Sequence, residues 1–316
     1  MIFGVLSGVT WALETIVLGI AMSTSPLVST EQAIFFAPFV STFLHDFCSA
    51  LWAALYNGVR GQSGKVWKAA FRSKGGKFVM LAAILGGPVG MTGYVLTINQ
   101  MGAAIGAVAS AVYPAVGAIL AYLFLKEKMK WYQWCFLVVT LLGVYGLSYT
   151  PELSIHNFWL GVLGAFMCSF GWGIEAVVLA KCMQDQAVKD EYALQIRQTT
   201  SALIYGIVIL PFIGGWKFTL GIITGSSGSL LPIIGAAAFF ATVSYLFYYR
   251  AISKIGASKA MALNVTYVAW ASVFSILFLK STNLLSPLTL FCTLTVLVCG
   301  ILAAVDFKNR EQGKIK

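Results

Sequence analysis

The sequence predicts an all-α membrane protein, with ten transmembrane helices in a five-plus-five inverted repeat and both termini cytoplasmic. Three observations predict it. Of 316 residues, 59% are hydrophobic and 10% charged, against about 25% charged in soluble domains, and the mean hydropathy is +0.84. Ten apolar runs match the roughly 20 residues a helix needs to cross a bilayer. Short phrases in the first half return in the same order in the second.

Spans 1 to 5 fall near 2–22, 32–58, 78–98, 102–125 and 132–150, and spans 6 to 10 near 158–181, 192–214, 229–252, 256–279 and 286–305. Span 1 has no basic region ahead of it and supplies half of a repeated phrase, which favours a retained helix over a cleaved signal. Between spans 2 and 3 lies a stretch with Arg60, Lys65, Lys68, Arg72, Lys74 and Lys77. Trp67 and Phe71 within it would suit an amphipathic helix on the inner leaflet, but the simpler expectation is a loop that sets orientation. In span 3, Gly86-Gly87-Pro88-Val89-Gly90 should weaken the helix, and in span 4 Pro114 should kink it after Tyr113. Improved packing and gating both remain open as reasons, since exposed backbone there is tolerated only against protein or a cavity.

Spans 4, 8 and 10 are followed by Lys126, Lys128 and Lys130, by Lys254, and by a tail with Lys308, Arg310, Lys314 and Lys316. The opposite loops show only Lys217 and Lys280. The positive-inside rule therefore places both ends in the cytoplasm.

The repeat divides the chain into residues 1–150 and 151–316. Trp11-Ala-Leu-Glu14 returns as Trp172-Gly-Ile-Glu175, and Ser49-Ala50-Leu51 as Ser201-Ala202-Leu203, which sets His45-Asp46 opposite Arg197-Gln198. Gly102-Ala103 matches Gly256-Ala257, Tyr113 matches Tyr267, and Phe124-Leu125-Lys126 matches Phe278-Leu279-Lys280. The offset shrinks along the chain, which we ascribe to a longer loop after span 1 than after span 6. Five spans is an odd number, so the second half must insert inverted. Inverted repeats with a site near the midplane are a transporter signature.

Several function classes fall away. The net charge of +10 sits in short loops and is explained by topology, so no nucleic-acid partner is expected. Six scattered cysteines show no paired spacing, and His45 and His156 are the only histidines, so no metal site is expected. There is no GxxxxGK[ST], GxSxG or HExxH. The chain is read as neither an enzyme nor a cofactor protein. Its expected partners are the bilayer and a small cationic substrate, and it would act as a monomer or dimer.

The chemistry lies in the charges and rings inside the spans. A carboxylate at the centre of a spanning helix costs roughly 2.5–3.5 kcal/mol on insertion scales. Glu14, Asp46, Glu175 and Arg197, with His45 alongside, carry that burden. Trp11 with Glu14, and Trp172 with Glu175, are spaced i, i+3 and share a helix face. The bland reading for His45, Asp46 and Arg197 is an internal salt bridge, for instance Asp46 with Arg197. The functional one is proton coupling. Glu175 has no base near it in its own apolar segment, which points to function.

The mid-span aromatics Trp11, Tyr113, Trp172, Tyr267 and Trp270, with Tyr94, Tyr245, Tyr248 and Tyr249 available, could wall a cage for a quaternary ammonium group. Ordinary packing is the alternative for any one of them. Trp131, Tyr132, Trp134, Trp159 and Trp216, near span ends, read as interfacial belt.

The set of motifs resembles a known family. Trp11, His45-Asp46-Phe47, Gly86-Gly87-Pro88-Val89-Gly90-Met91, Ala109-Ser110-Ala111-Val112-Tyr113-Pro114-Ala115, Trp172-Gly173-Ile174-Glu175, Ile196-Arg197-Gln198, Val243-Ser244-Tyr245 and Asn264-Val265-Thr266-Tyr267-Val268-Ala269-Trp270 resemble the LicB-type bacterial choline importers of the EamA drug/metabolite transporter superfamily. The likeness runs from Phe3 to about Leu302. It implies choline uptake by proton symport across the bacterial cytoplasmic (inner) membrane, feeding phosphorylcholine decoration of the envelope. It also implies an aromatic cage of Trp11, Tyr113, Trp172, Tyr245, Tyr267 and Trp270, with Glu175 as the anion. Two features depart from the family: a longer 59–77 loop, and Glu14, where a small residue is the expectation. On these grounds Glu14 joins the substrate-binding set, and His45, Asp46 and Arg197 form the ion-coupling set. The leading expectation is choline import by alternating access. An exporter of amino acids or cationic metabolites on the same fold, and a non-transporting membrane scaffold, are the alternatives.

Overall fold

A computed structural model describes residues 1–149, 155–184, 187–225 and 230–307, apart from the side chains of Ala103, Ala104 and Asn283. Ten described helices are long and apolar enough to cross a membrane. They are span 1 (Ile2–Met22), span 2 (Glu31–Val59), span 3 (Lys74–Met101), span 4 (Ile105–Leu125), span 5 (Trp131–Ser148), span 6 (Phe158–Cys182), span 7 (Asp190–Ile213), span 8 (Leu230–Ile255), span 9 (Ala257–Leu279) and span 10 (Pro287–Ala304). The bounds depart from the sequence expectation by a few residues. The basic tail with Lys308, Arg310, Lys314 and Lys316 lies outside the described residues.

Helix is the natural form here because a spanning segment must satisfy its own backbone. Several starts are capped by residue types that suit the task. Thr30, Ser73, Asn157 and Ser286 accept from the backbone N–H groups of Ala33, Gly76, Leu160 and Thr289, at 2.9–3.1 Å. Large apolar side chains on the outside, such as Phe212 at 89% exposure and Phe291 at 69%, form a surface suited to lipid.

Two shorter helices accompany the spans. Ser63–Arg72 is a helix, so the plain loop expected between spans 2 and 3 is corrected to the amphipathic alternative. Trp216–Thr224 was not expected at all. Trp216 donates to the Gly206 carbonyl at 2.8 Å and packs on Phe43 at 5.4 Å, inside the bundle's end more than in an interfacial belt.

The packing follows the repeat. Span 1 packs on span 8 as span 6 does on span 3, and span 1 on span 9 as span 6 does on span 4. Spans 2 and 7 meet each other, as do spans 5 and 10. These are the pairings a pseudo-twofold axis requires. The backbone repeats as well: Gly102 and Gly256 enter spans 4 and 9 at φ 88° and 86°, and Lys126 and Lys280 end them at φ 57° and 52°. Glycine takes such angles without a Cβ penalty, and a left-handed residue is a common helix stop. The extra length of the first half lies in span 2, which begins about two turns further ahead of Ser49 than span 7 does of Ser201. The longer loop proposed from the sequence is not the reason.

Outside the bilayer, Lys130 ahead of span 5 donates to Asp306 beyond span 10. That hydrogen bond holds the Asp306 carboxyl below the usual carboxylate range and raises Lys130. The pair is partly exposed, so it adds little to stability.

Spans 3 and 6 touch through glycine. A Cβ on Gly93 would lie 2.6 Å from the Gly164 carbonyl, and one on Gly164 would lie 2.6 Å from that of Gly93. Backbone cannot yield as a side-chain tip does. Gly93→Ala is therefore expected to lower stability by about 1–3 kcal/mol in thermal melts. Gly235→Ala, where a Cβ meets nothing within 4 Å, should leave stability unchanged or raise it. Equal melts for the two variants would refute the contact.

Candidate functional site

A cavity of about 460 Å³ lies in the middle of the bundle. Its wall reaches Leu18 and Met22 at the end of span 1, Pro38 near the start of span 2, and Ile98 and Asn99 at the end of span 3. All of these lie toward the face opposite the basic loops. On the basic side, Tyr192, Tyr248, Tyr249 and Ile252 form one apolar cluster with Val66 and Val79. The basic side is shut, and the opposite side leads inward.

Two ring groups, each built on the repeated tryptophan, face this space. Trp11 meets Tyr245 edge-on at 4.9 Å and Tyr267 at 6.3 Å. Trp172 meets Tyr113 edge-on at 6.0 Å and Tyr94 at 6.0 Å. Both Tyr113 and Tyr267 follow a break in their span, since the helices run Ala103–Ala111 then Tyr113–Leu120, and Ala257–Asn264 then Tyr267–Leu279. The first break has Pro114 beside it. The second has no proline and was not foreseen.

Span 3 opens into a wide turn over Leu85–Val89, as its glycines and Pro88 predict. The Gly90 N–H bonds to the Leu85 and Gly87 carbonyls. The Gly86 carbonyl then accepts from the Trp172 indole at 2.7 Å. A Cβ on Gly90 would lie 2.8 Å from that indole, and one on Gly86 would overlap the Glu175 carboxylate. These glycines are needed for close approach.

Below the rings runs an ion network. Arg197 Nε donates to Glu175 Oε1 at 2.8 Å, and its Nη1 lies 3.4 Å from Asp46 Oδ2. The same nitrogen donates to Gln198 Oε1, and the guanidinium sits 5.1 Å over the Tyr245 ring. Ser201 Oγ donates to Asp46 Oδ2 at 2.6 Å, while Gln198 Nε2 donates to Ser49 Oγ at 2.7 Å. Those two contacts are reciprocal, because Asp46 and Ser49 occupy the places in span 2 that Gln198 and Ser201 occupy in span 7. The His45 ring lies between two acids, with Nδ1 3.1 Å from Asp46 Oδ1 and Nε2 3.4 Å from Glu14 Oε1.

The structure brings together Trp11, Glu14, His45, Asp46, Tyr113, Trp172, Glu175, Arg197, Tyr245 and Tyr267 on one cavity wall. Two expectations change. Trp270 is not part of that wall; it begins a ladder with Phe274 and Phe278, at 6.1 and 5.6 Å, that runs out to an exposed Phe278. Glu175, read as an anion without a base, is bonded to Arg197 from the neighbouring span. Among the described residues of the cavity, Glu14 is the acid with no contact to Arg197; Thr15 Oγ1 lies 3.3 Å from it.

Asn264 carried no chemistry in the residue-by-residue reading. Tyr113 OH donates to Asn264 Oδ1 at 2.8 Å, and Asn264 Nδ2 donates to Ser7 Oγ at 2.7 Å. The link ties spans 4, 9 and 1 at the cavity wall. A lone asparagine inside an apolar span was the available signal.

Comparison with known proteins agrees with this architecture. Residues 1–149 match the EamA-like transporter family. Protein LicB of Haemophilus influenzae is 29% identical over 316 residues, 98% of this chain and 99% of LicB. A solved crystal structure superposes with a TM-score of 0.69 at 14% identity, covering 96% of both chains, which supports the fold alone. With ten described apolar spans around a polar-floored cavity, the chain is a multi-pass membrane protein whose first half matches the EamA-like transporter family and whose whole length is similar to LicB.

Proposed function

We propose that this transporter imports choline, or a close quaternary amine, by alternating access across the bacterial cytoplasmic membrane. Residues 1–150 and 151–316 act as the two inverted repeats, with both termini cytoplasmic. One observation carries the reading: three carboxylates face a single guanidinium in the cavity, and the acid not engaged by Arg197, Glu14, stands one turn from Trp11 and its tyrosines. A trimethylammonium group offers no N–H, so it needs ring faces and a nearby negative charge. Each dry ring contact is worth about 2 kcal/mol. The cavity volume lies in the usual range for small-molecule sites. In this reading Trp11, Tyr113, Trp172, Tyr245 and Tyr267 form the cage, and Glu14 is the counter-ion. Glu175 acts through Arg197. His45, with a carboxylate at each ring nitrogen, couples transport to protons.

Binding isotherms for choline, betaine and ethanolamine on the purified chain test this directly. Choline is expected to bind most tightly. Trp11→Ala should weaken it on the order of tenfold or more, while the exposed Trp131→Phe should not. In proteoliposomes at a fixed membrane potential, an imposed pH gradient should alter choline uptake, and His45→Gln should abolish that dependence. Absence of saturable choline binding would sink the proposal.

A further inference from the structure

We propose that a cleft on the basic side of the bundle, between the helix Ser63–Arg72 and the start of span 7, binds the phosphate headgroup of an anionic lipid. It is a separate site from the transport cavity and does not rest on the choline reading. The cleft encloses about 400 Å³ and is lined by Lys65, Lys68, Arg72, Ser73, Lys189 and Tyr192, among others. Four cations converge there, and no carboxylate lines it among the described residues. None of the four takes part in an ion pair among those residues; of the described acids nearby, Asp190 is engaged with Arg250 at 3.8 Å and Glu191 with Arg60 at 3.9 Å. Like charges gathered this way repel one another, and an anion relieves that repulsion.

The helix itself explains why the anion belongs to a lipid. At 100° per residue it has three faces. Val66, Ala69 and Ala70 are buried against the bundle. Lys65, Lys68 and Arg72 share a second face, which forms one wall of the cleft. Trp67 and Phe71 occupy the third, stacked at 6.1 Å and exposed at 44% and 62%. Because the helix joins two membrane spans, that aromatic face meets the bilayer at headgroup depth, where such rings are favoured. A headgroup beside it reaches the cations without leaving the leaflet. Tyr192 fixes the far wall: its hydroxyl donates to Gln62 Oε1 at 2.6 Å, and Lys189 lies 5.8 Å over its ring. Three of the cations belong to the first half of the chain and Lys189 to the second, so a bound headgroup joins the halves on the side that is shut.

The test uses the full chain in neutral detergent, titrated with dioleoylphosphatidylglycerol, dioleoylphosphatidylcholine or inorganic phosphate while the unfolding temperature is followed. Phosphatidylglycerol is expected to stabilise the protein, and the other two are not. Each basic side chain near an anionic surface contributes roughly fivefold in affinity. The half-stabilising phosphatidylglycerol concentration should therefore rise about 100-fold in Lys65→Gln/Lys68→Gln/Lys189→Gln, and about fivefold in Lys189→Gln alone should the triple variant not fold. Lys74→Gln/Lys77→Gln/Lys128→Gln removes the same charge from the same side outside the cleft and should change it by less than about twofold. Equal loss in the two triple variants, equal stabilisation by phosphatidylcholine, or full stabilisation by inorganic phosphate would each overturn the lipid assignment.

Discussion

Replacing Glu14 by Gln is expected to weaken quaternary-ammonium binding on the order of 100-fold, with the unfolding temperature little changed. A charge pair about 5 Å apart at an effective dielectric near 20 is worth about 3 kcal/mol. Gln keeps the size of the side chain and removes only the charge. Glu14 is the informative position because Arg197 already engages the other two cavity acids. Titrating choline into the variant and wild type gives the ratio directly. A ratio near one would show that the rings alone hold the guest, and that the counter-ion is wrongly assigned.

The second large effect concerns Arg197. Arg197→Met is expected to destabilise the protein by about 3–5 kcal/mol, because it leaves Asp46 and Glu175 buried without their cation. Asp46 would retain the Ser201 hydroxyl and the His45 ring, but Glu175 would lose its 2.8 Å partner. Adding Glu175→Gln to this variant should recover part of the loss, since one uncompensated charge is then removed. Melting curves of the wild type, the two single variants and the double variant give the coupling. Strict additivity would mean that the two residues do not depend on one another.

Much of this arrangement is legible in the sequence. Hydropathy located the spans because each must bury its own hydrogen bonds in an apolar run. Trp11 with Glu14 was visible because i, i+3 spacing fixes a shared face whatever the tertiary structure. The turn at Gly86–Gly90 was visible because proline and glycine act locally. Interactions between distant spans were harder. Glu175 looked unpaired within its own segment because its base arrives from span 7. Trp270 was drawn into the cage by its mid-span position and by the resemblance, and its ladder to Phe278 is read only once the break after Asn264 is placed. The Trp216–Thr224 helix is too short to be stable alone, so its existence depends on Phe43 and the Gly206 carbonyl rather than on propensity.

The reciprocal polar contacts between spans 2 and 7 have a consequence for energetics. In the proposed alternating-access cycle the halves exchange shapes, and elements on a two-fold axis map onto each other. In that proposed cycle a hinge built there would keep these bonds in both end states. The expense of burying those four polar side chains would then be shared by both proposed end states and drop out of their difference, leaving the guest and the doorway residues to decide which one is populated.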